Sequence, residues 1–139
     1  MVVVVIVGIL AAIAIPSYQD YVKRGARSAA QAELLAMAST QEKIFLNSDS
    51  YSANLKTAYT GASAGGLGKS TGLTADGKYN LDITQATKTF VMSATPVVSK
   101  GQVNDGCLLI QENGVRQWNK GDDAGCTSNP PVLSSPVPW

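Results

Sequence analysis

An α+β fold, one long N-terminal helix packed on a four-stranded antiparallel sheet, is predicted by three observations. Apolar residues recur at helical spacing from Ala26 to Ile44. Four later runs carry strand signals and fall into two hairpins. An unbroken apolar run, Met1 to Ile15, leads through Pro16 directly into the helical stretch.

The helix comes first. From Ser17 to about Asn47 the chain is rich in Ala, Leu, Gln, Glu, Lys and Met, with Gly25 in its interior, a strongly helix-forming composition. Ala26, Ala30, Leu34, Met37, Gln41 and Ile44 form a stripe at three- and four-residue spacing, which Ala29 and Phe45 are expected to widen. Lys23, Arg27, Glu33 and Glu42 fall mostly off it. That is the pattern of a helix laid along one face of a domain.

Thr60–Gly72, with its glycines and small residues and no periodicity, reads as a long flexible connection. It contains no G-x-x-x-x-G-K-[ST] spacing around Lys69, so the phosphate-loop reading is set aside. Tyr79–Thr84 and Thr89–Thr95 alternate apolar and polar residues, and Gln85–Lys88 would join them. Cys107–Gln111 and Val115–Trp118 flank Asn113-Gly114, a strong hairpin signal because both residues tolerate positive φ. One helix followed by two hairpins gives helix on sheet. The tail from Ser128 to Trp139 carries four prolines and reads as an extended surface segment.

The N-terminal run has fifteen residues without a polar side chain, too long for an ordinary strand. As a helix it reaches roughly 22 Å, short of the ~30 Å hydrocarbon core of a bilayer. A spanning helix is therefore expected to begin about five or six residues before Met1. Pro16 lacks an amide hydrogen, and Gly8 and the β-branched Val2–Ile6 are weak helix formers. Gly8–Pro16 is thus the segment of the helix expected to unwind most readily. The division expected is a hydrophobic helix over 1–23 and a globular head over 24–139.

Composition excludes several chemistries. The chain has 139 residues, a net charge of +1 and no histidine, which removes the commonest general base and metal ligand. No catalytic residues and no cofactor are expected, and the protein is not read as an enzyme. Asn119, Asp122 and Asp123 form one oxygen-rich cluster, well short of the six to eight oxygens calcium takes. Cys107 and Cys126 are too few for a zinc site without histidine, so they are either two thiols or one disulfide.

MVVVVIVGILAAIAIPSYQDYVKR resembles the N-terminal signature of type IV pilins almost residue for residue. The resemblance assigns Gly8, Pro16 and Tyr18 to the assembly helix. In the family the stretch is preceded by a basic leader and a processed Phe, with a glutamate needed for assembly. Aligned on Gly8 and Pro16, these fall before Met1. Lys23, Arg24 and Arg27 would by themselves place the C-terminal side of the run in the cytoplasm. The family has the opposite orientation, and the resemblance is followed here. It implies export, which makes Cys107–Cys126 the expected disulfide, worth on the order of 3 kcal/mol. It also places the bridge where pilins have a disulfide-bounded C-terminal region. The C-terminal half looks most like PilE and competence-type minor pilins, in pattern more than identity.

The resemblance implies a structural subunit, held in the bacterial inner membrane and then built into an extracellular filament. Its expected partners are other pilin subunits, in a homo- or heteropolymer, the inner membrane and the pilus assembly machinery. Adhesion, twitching motility and competence all lie within the family. A type II secretion pseudopilin is an alternative, distinguished by calcium dependence in place of a disulfide. DNA binding, as in a competence pilin, is the other. From Tyr51 onward the basic residues are nearly cancelled by acidic ones, and Arg116, Trp118 and Lys120 are the best candidate contacts.

Overall fold

The computed structural model describes residues 1–126, 133 and 136–139. Helix α1, Val2–Ser48, is followed by strands β1 (Tyr79–Ala86), β2 (Thr89–Pro96), β3 (Cys107–Gln111), β4 (Arg116–Asn119) and β5 (Pro136–Pro138). A short 3-10 turn, Val98–Lys100, lies between β2 and β3. All five strands form one antiparallel meander in the order β1-β2-β3-β4-β5. This is the expected α+β, pilin-like fold with one strand more than expected.

The helix packs on β2 and β3. Its buried residues are Ala26, Ala30, Leu34, Met37, Gln41 and Ile44, the six of the expected stripe. Phe45 packs beside them, but Ala29 is exposed. At about 100° per residue, Ala29 falls outside the arc that the six others span. They meet Tyr79, Leu81, Phe90, Met92, Ala94, Leu108 and Ile110 from the sheet. Cys107, Leu109 and Cys126 form a second cluster with Val91 and Leu133. Alternation along β3 assigns the two clusters to opposite faces.

Gln41 is the one polar residue in the buried stripe, and its amide behaves like a strand partner. Its Nε2 donates to the Ser52 carbonyl at 2.6 Å, and its Oε1 accepts the Ser52 amide at 2.9 Å. Ser52 Oγ in turn donates to the Gly65 carbonyl. The expected flexible connection is therefore fixed to the helix. Gly66, Leu67, Gly68 and Lys69 donate backbone hydrogen bonds to Ala58, Asn54, Thr57 and Leu55, and Leu67 is buried. A Cβ on Gly66 would lie 2.2 Å from the Thr57 carbonyl oxygen. Glycine serves close backbone approach there, not flexibility.

Three other expectations are adjusted. The β3–β4 connection uses positive φ only at Gly114, and Asn113 instead accepts the Val115 amide through Oδ1 at 3.0 Å. β4 accordingly begins at Arg116, not Val115. Pro136–Pro138 of the tail is extended and exposed as expected, and it is also paired. It adds a fifth strand with Val137 opposite Trp118. Proline is compatible with that position because β5 is the edge, where missing amide donors face outward. Residues 128–132, 134 and 135 of the tail lie outside the described residues.

The N-terminal half of α1 carries the apolar run with its side chains exposed from Val2 to Ile15, apart from the half-buried Ala11. The helix is long and apolar enough to cross a membrane. It continues through Pro16 without a break.

Candidate nucleic-acid interface

The site is built around an acid that the fold buries. Asp105 precedes β3 between two residues with positive φ, Asn104 at 57° and Gly106 at 89°. Asp123 holds this loop by accepting the Asn104 and Gly106 amides, one on each carboxylate oxygen, both at 2.8 Å. Gly106 admits no side chain, since a Cβ would lie 2.1 Å from the Asn119 carbonyl oxygen. The Asp105 carboxylate is thereby presented to the helix.

Arg27 meets it with two donors, Nη2 to Oδ1 at 2.5 Å and Nε to Oδ2 at 3.1 Å. The Tyr79 hydroxyl donates to Oδ2 as well. Burial, and then the bond to Asp105, raise the Tyr79 pKa well above that of a free phenol. Burial alone would lower the Arg27 pKa, but Asp105 outweighs it and the guanidinium is held charged.

That guanidinium also lies 3.8 Å from the centre of the Trp118 ring. The Trp118 indole Nε1 donates to the Asp105 main-chain oxygen at 2.8 Å. The Lys120 ammonium approaches the same ring at 5.9 Å. Two residues before Trp118 in β4, Arg116 stands over Trp139 at 5.6 Å, and Trp139 Nε1 donates to the Gln117 carbonyl at 2.9 Å. Such cation–aromatic contacts contribute about 0.5–2 kcal/mol each and fix the direction of the cations.

Arg116, Trp118 and Lys120, the residues expected from the sequence, are thus brought to one face of the sheet beside the helix. Three further cations join them. Lys23, Arg24 and Arg27 line the same groove as Trp118 and Lys120, with Asp20 and Asp105 as its acids. Asp105 is already paired with Arg27, while Arg24, Arg116 and Lys120 are exposed. A net charge of +1 therefore conceals a cationic, tryptophan-bearing face. The near-cancellation of charge from Tyr51 onward stands, and the excess on this face comes from the helix cations Lys23, Arg24 and Arg27, which precede that stretch. Lys23 to Arg27 straddle Ala26, where the buried stripe begins, and this is the signal that places them against the head.

The other expected residues have different roles. Cys107 and Cys126 are bonded, with Cα atoms 6.0 Å apart. Gly8, Pro16 and Tyr18 lie on the exposed half of α1. Asp122 accepts the Ala124 and Gly125 amides and the Asn119 side-chain amide, so its carboxylate organises a turn. No cluster of three or more metal-ligating side chains occurs among the described residues.

The family model described as "Type IV minor pilin ComP, DNA uptake sequence receptor" matches residues 16–111. No curated protein matches the chain.

Proposed function

Because the chain belongs to the type IV minor pilin ComP family, we propose that it is a minor pilus subunit that binds DNA during uptake. The observation that carries the DNA reading is the groove that gathers Arg24 and Lys120 beside Trp118, with Arg116 stacked over Trp139 two residues before Trp118 in β4. Exposed cations displace the counterions condensed on DNA, and this supplies affinity without regard to sequence. Both indole N–H groups are already satisfied by main-chain oxygens. The tryptophans therefore offer ring surface, and aim the cations, more than they offer hydrogen bonds to bases. DNA binding, ranked second on the sequence alone, becomes the favoured reading.

Filament assembly is the companion role. The subunit waits in the inner membrane with α1 spanning, then buries Val2–Ile15 among other pilin helices outside the cell. Transfer from lipid to a helix bundle has little hydrophobic drive, so packing must contribute. In the filament the Gly8–Pro16 segment unwinds, because Pro16 leaves one carbonyl without its donor and Gly8 is a poor helix former.

The test is uptake of DNA by host cells lacking the gene. Complementation with the wild-type chain restores uptake. An Arg116→Gln/Lys120→Gln chain restores surface filaments but not uptake. Uptake that is unaffected by loss of the gene would refute the DNA role.

A further inference from the structure

A second groove lies on the other side of Lys23 and Val103, which are shared by both grooves. It is lined by Tyr18 and Val22 of the helix and by Lys78 and Lys100 of the head, with no carboxylate in its lining. Among the described residues, none of the ion pairs involves Lys23, Lys78 or Lys100. Lys23 Nζ donates to the Val103 carbonyl at 3.1 Å, which ties the helix to this loop. Lys100 closes the 3-10 turn, and Val98 and Val103 on either side of it are exposed apolar residues.

Its level along the helix gives this groove a partner. Tyr18 lies about 4–5 Å beyond Ile15, the last residue of the apolar run, and Lys23 about 12 Å beyond it. The polar layer of a bilayer is roughly 5–8 Å deep on each side. Tyrosine is enriched at that level, and a lysine stem lets its ammonium reach back several ångströms. The head residues that line the groove beside Tyr18 and Val22 lie at the same level.

We propose that this groove seats anionic phospholipid headgroups, so that the head of the membrane-held subunit rests on the bilayer instead of standing clear of it. The inference depends on the reading of α1 as a membrane span. Its basis is charge complementarity, three lysines facing lipid phosphates, and continuity with the apolar helix. A lysine near an anionic membrane surface is worth about a fivefold factor in binding, so the dock is strong enough to hold the head yet weak enough to release it at assembly.

The experiment is hydrogen exchange of the full chain in lipid nanodiscs, one set zwitterionic and one containing about a third phosphatidylglycerol. Amides of residues 97–104 are expected to exchange severalfold more slowly in the anionic discs, and Lys78→Gln/Lys100→Gln removes the difference. Equal exchange in both discs, with the chain inserted, overturns the dock alone. Failure to insert in either disc overturns the span and the dock together. Slowing of the same amides by duplex DNA in zwitterionic discs, with no effect of anionic lipid, would assign the groove to nucleic acid and overturn the lipid proposal.

Discussion

Arg27 on the helix and Asp105 before β3 form a two-donor ion pair, 2.5 Å at its shorter contact, across 78 residues of sequence. Asp105 is 3% exposed and Arg27 19%, so the pair is shielded enough for its loss to matter. It joins the helix to the sheet, and the face of the same guanidinium positions Trp118.

Removing either partner leaves a charge in a poorly solvated place. Arg27→Ala is expected to destabilise the head by about 3–5 kcal/mol. An Arg27→Met/Asp105→Leu chain should lose less than the sum of the single changes, since neither charge is then stranded. Denaturant unfolding of the full chain in mild detergent measures both. Strict additivity would show that the two residues are not coupled.

Tyr79 makes a pH prediction. Its folded pKa is raised above the ordinary tyrosine value, so the folded state holds its proton more tightly than the unfolded state does. That contribution is constant below about pH 10 and is lost as pH rises above it. The melting temperature should fall more steeply above pH 10 in the wild-type chain than in Tyr79→Phe. The variant should itself cost about 1–2 kcal/mol at neutral pH, through one lost donor to Asp105. Parallel alkaline curves would contradict the assignment.

The Cys107–Cys126 bridge closes a loop with a sequence separation of 19 and contains the β3–β4 hairpin. Reduction, or a Cys107→Ser/Cys126→Ser chain, should lower stability by about 3 kcal/mol. Because Cys107 pairs with Asn119 through the strand ladder, slowed packing of β4 should appear as faster exchange at Gln117 and Trp118. Unchanged exchange there would show that the bridge does not hold the interface strand.

Gly66 tests whether the segment before β1 is a packed part of the fold. Gly66→Ala forces its Cβ against the Thr57 carbonyl oxygen and should cost about 1–3 kcal/mol. Thermal unfolding reads this directly. A neutral effect would restore the flexible connection that the composition suggests.

The helix and four strands were legible because their periodicities are local. The spacing of Ala26 to Ile44 repeats every turn, and Tyr79, Leu81, Phe90, Met92 and Ala94 alternate as a half-buried strand must. β5 was hidden because prolines suppress a strand signal, and only pairing with β4 reveals it. Thr60–Gly72 misled because glycine marks both freedom and close approach, and the Gln41–Ser52–Gly65 bonds that decide between them are non-local. Half of the candidate interface was visible as Arg116, Trp118 and Lys120. The helix cations were hidden because charge counted along the chain does not show what folding brings together.

The most direct measurement of the central claim is the salt dependence of duplex DNA binding by the full chain in neutral detergent. With Arg24, Arg116 and Lys120 each meeting a phosphate, the slope of log affinity against log salt should be about −3, and Arg116→Gln or Lys120→Gln should reduce it by about 1. Absence of binding at low salt, or a slope that neither substitution changes, would contradict the account.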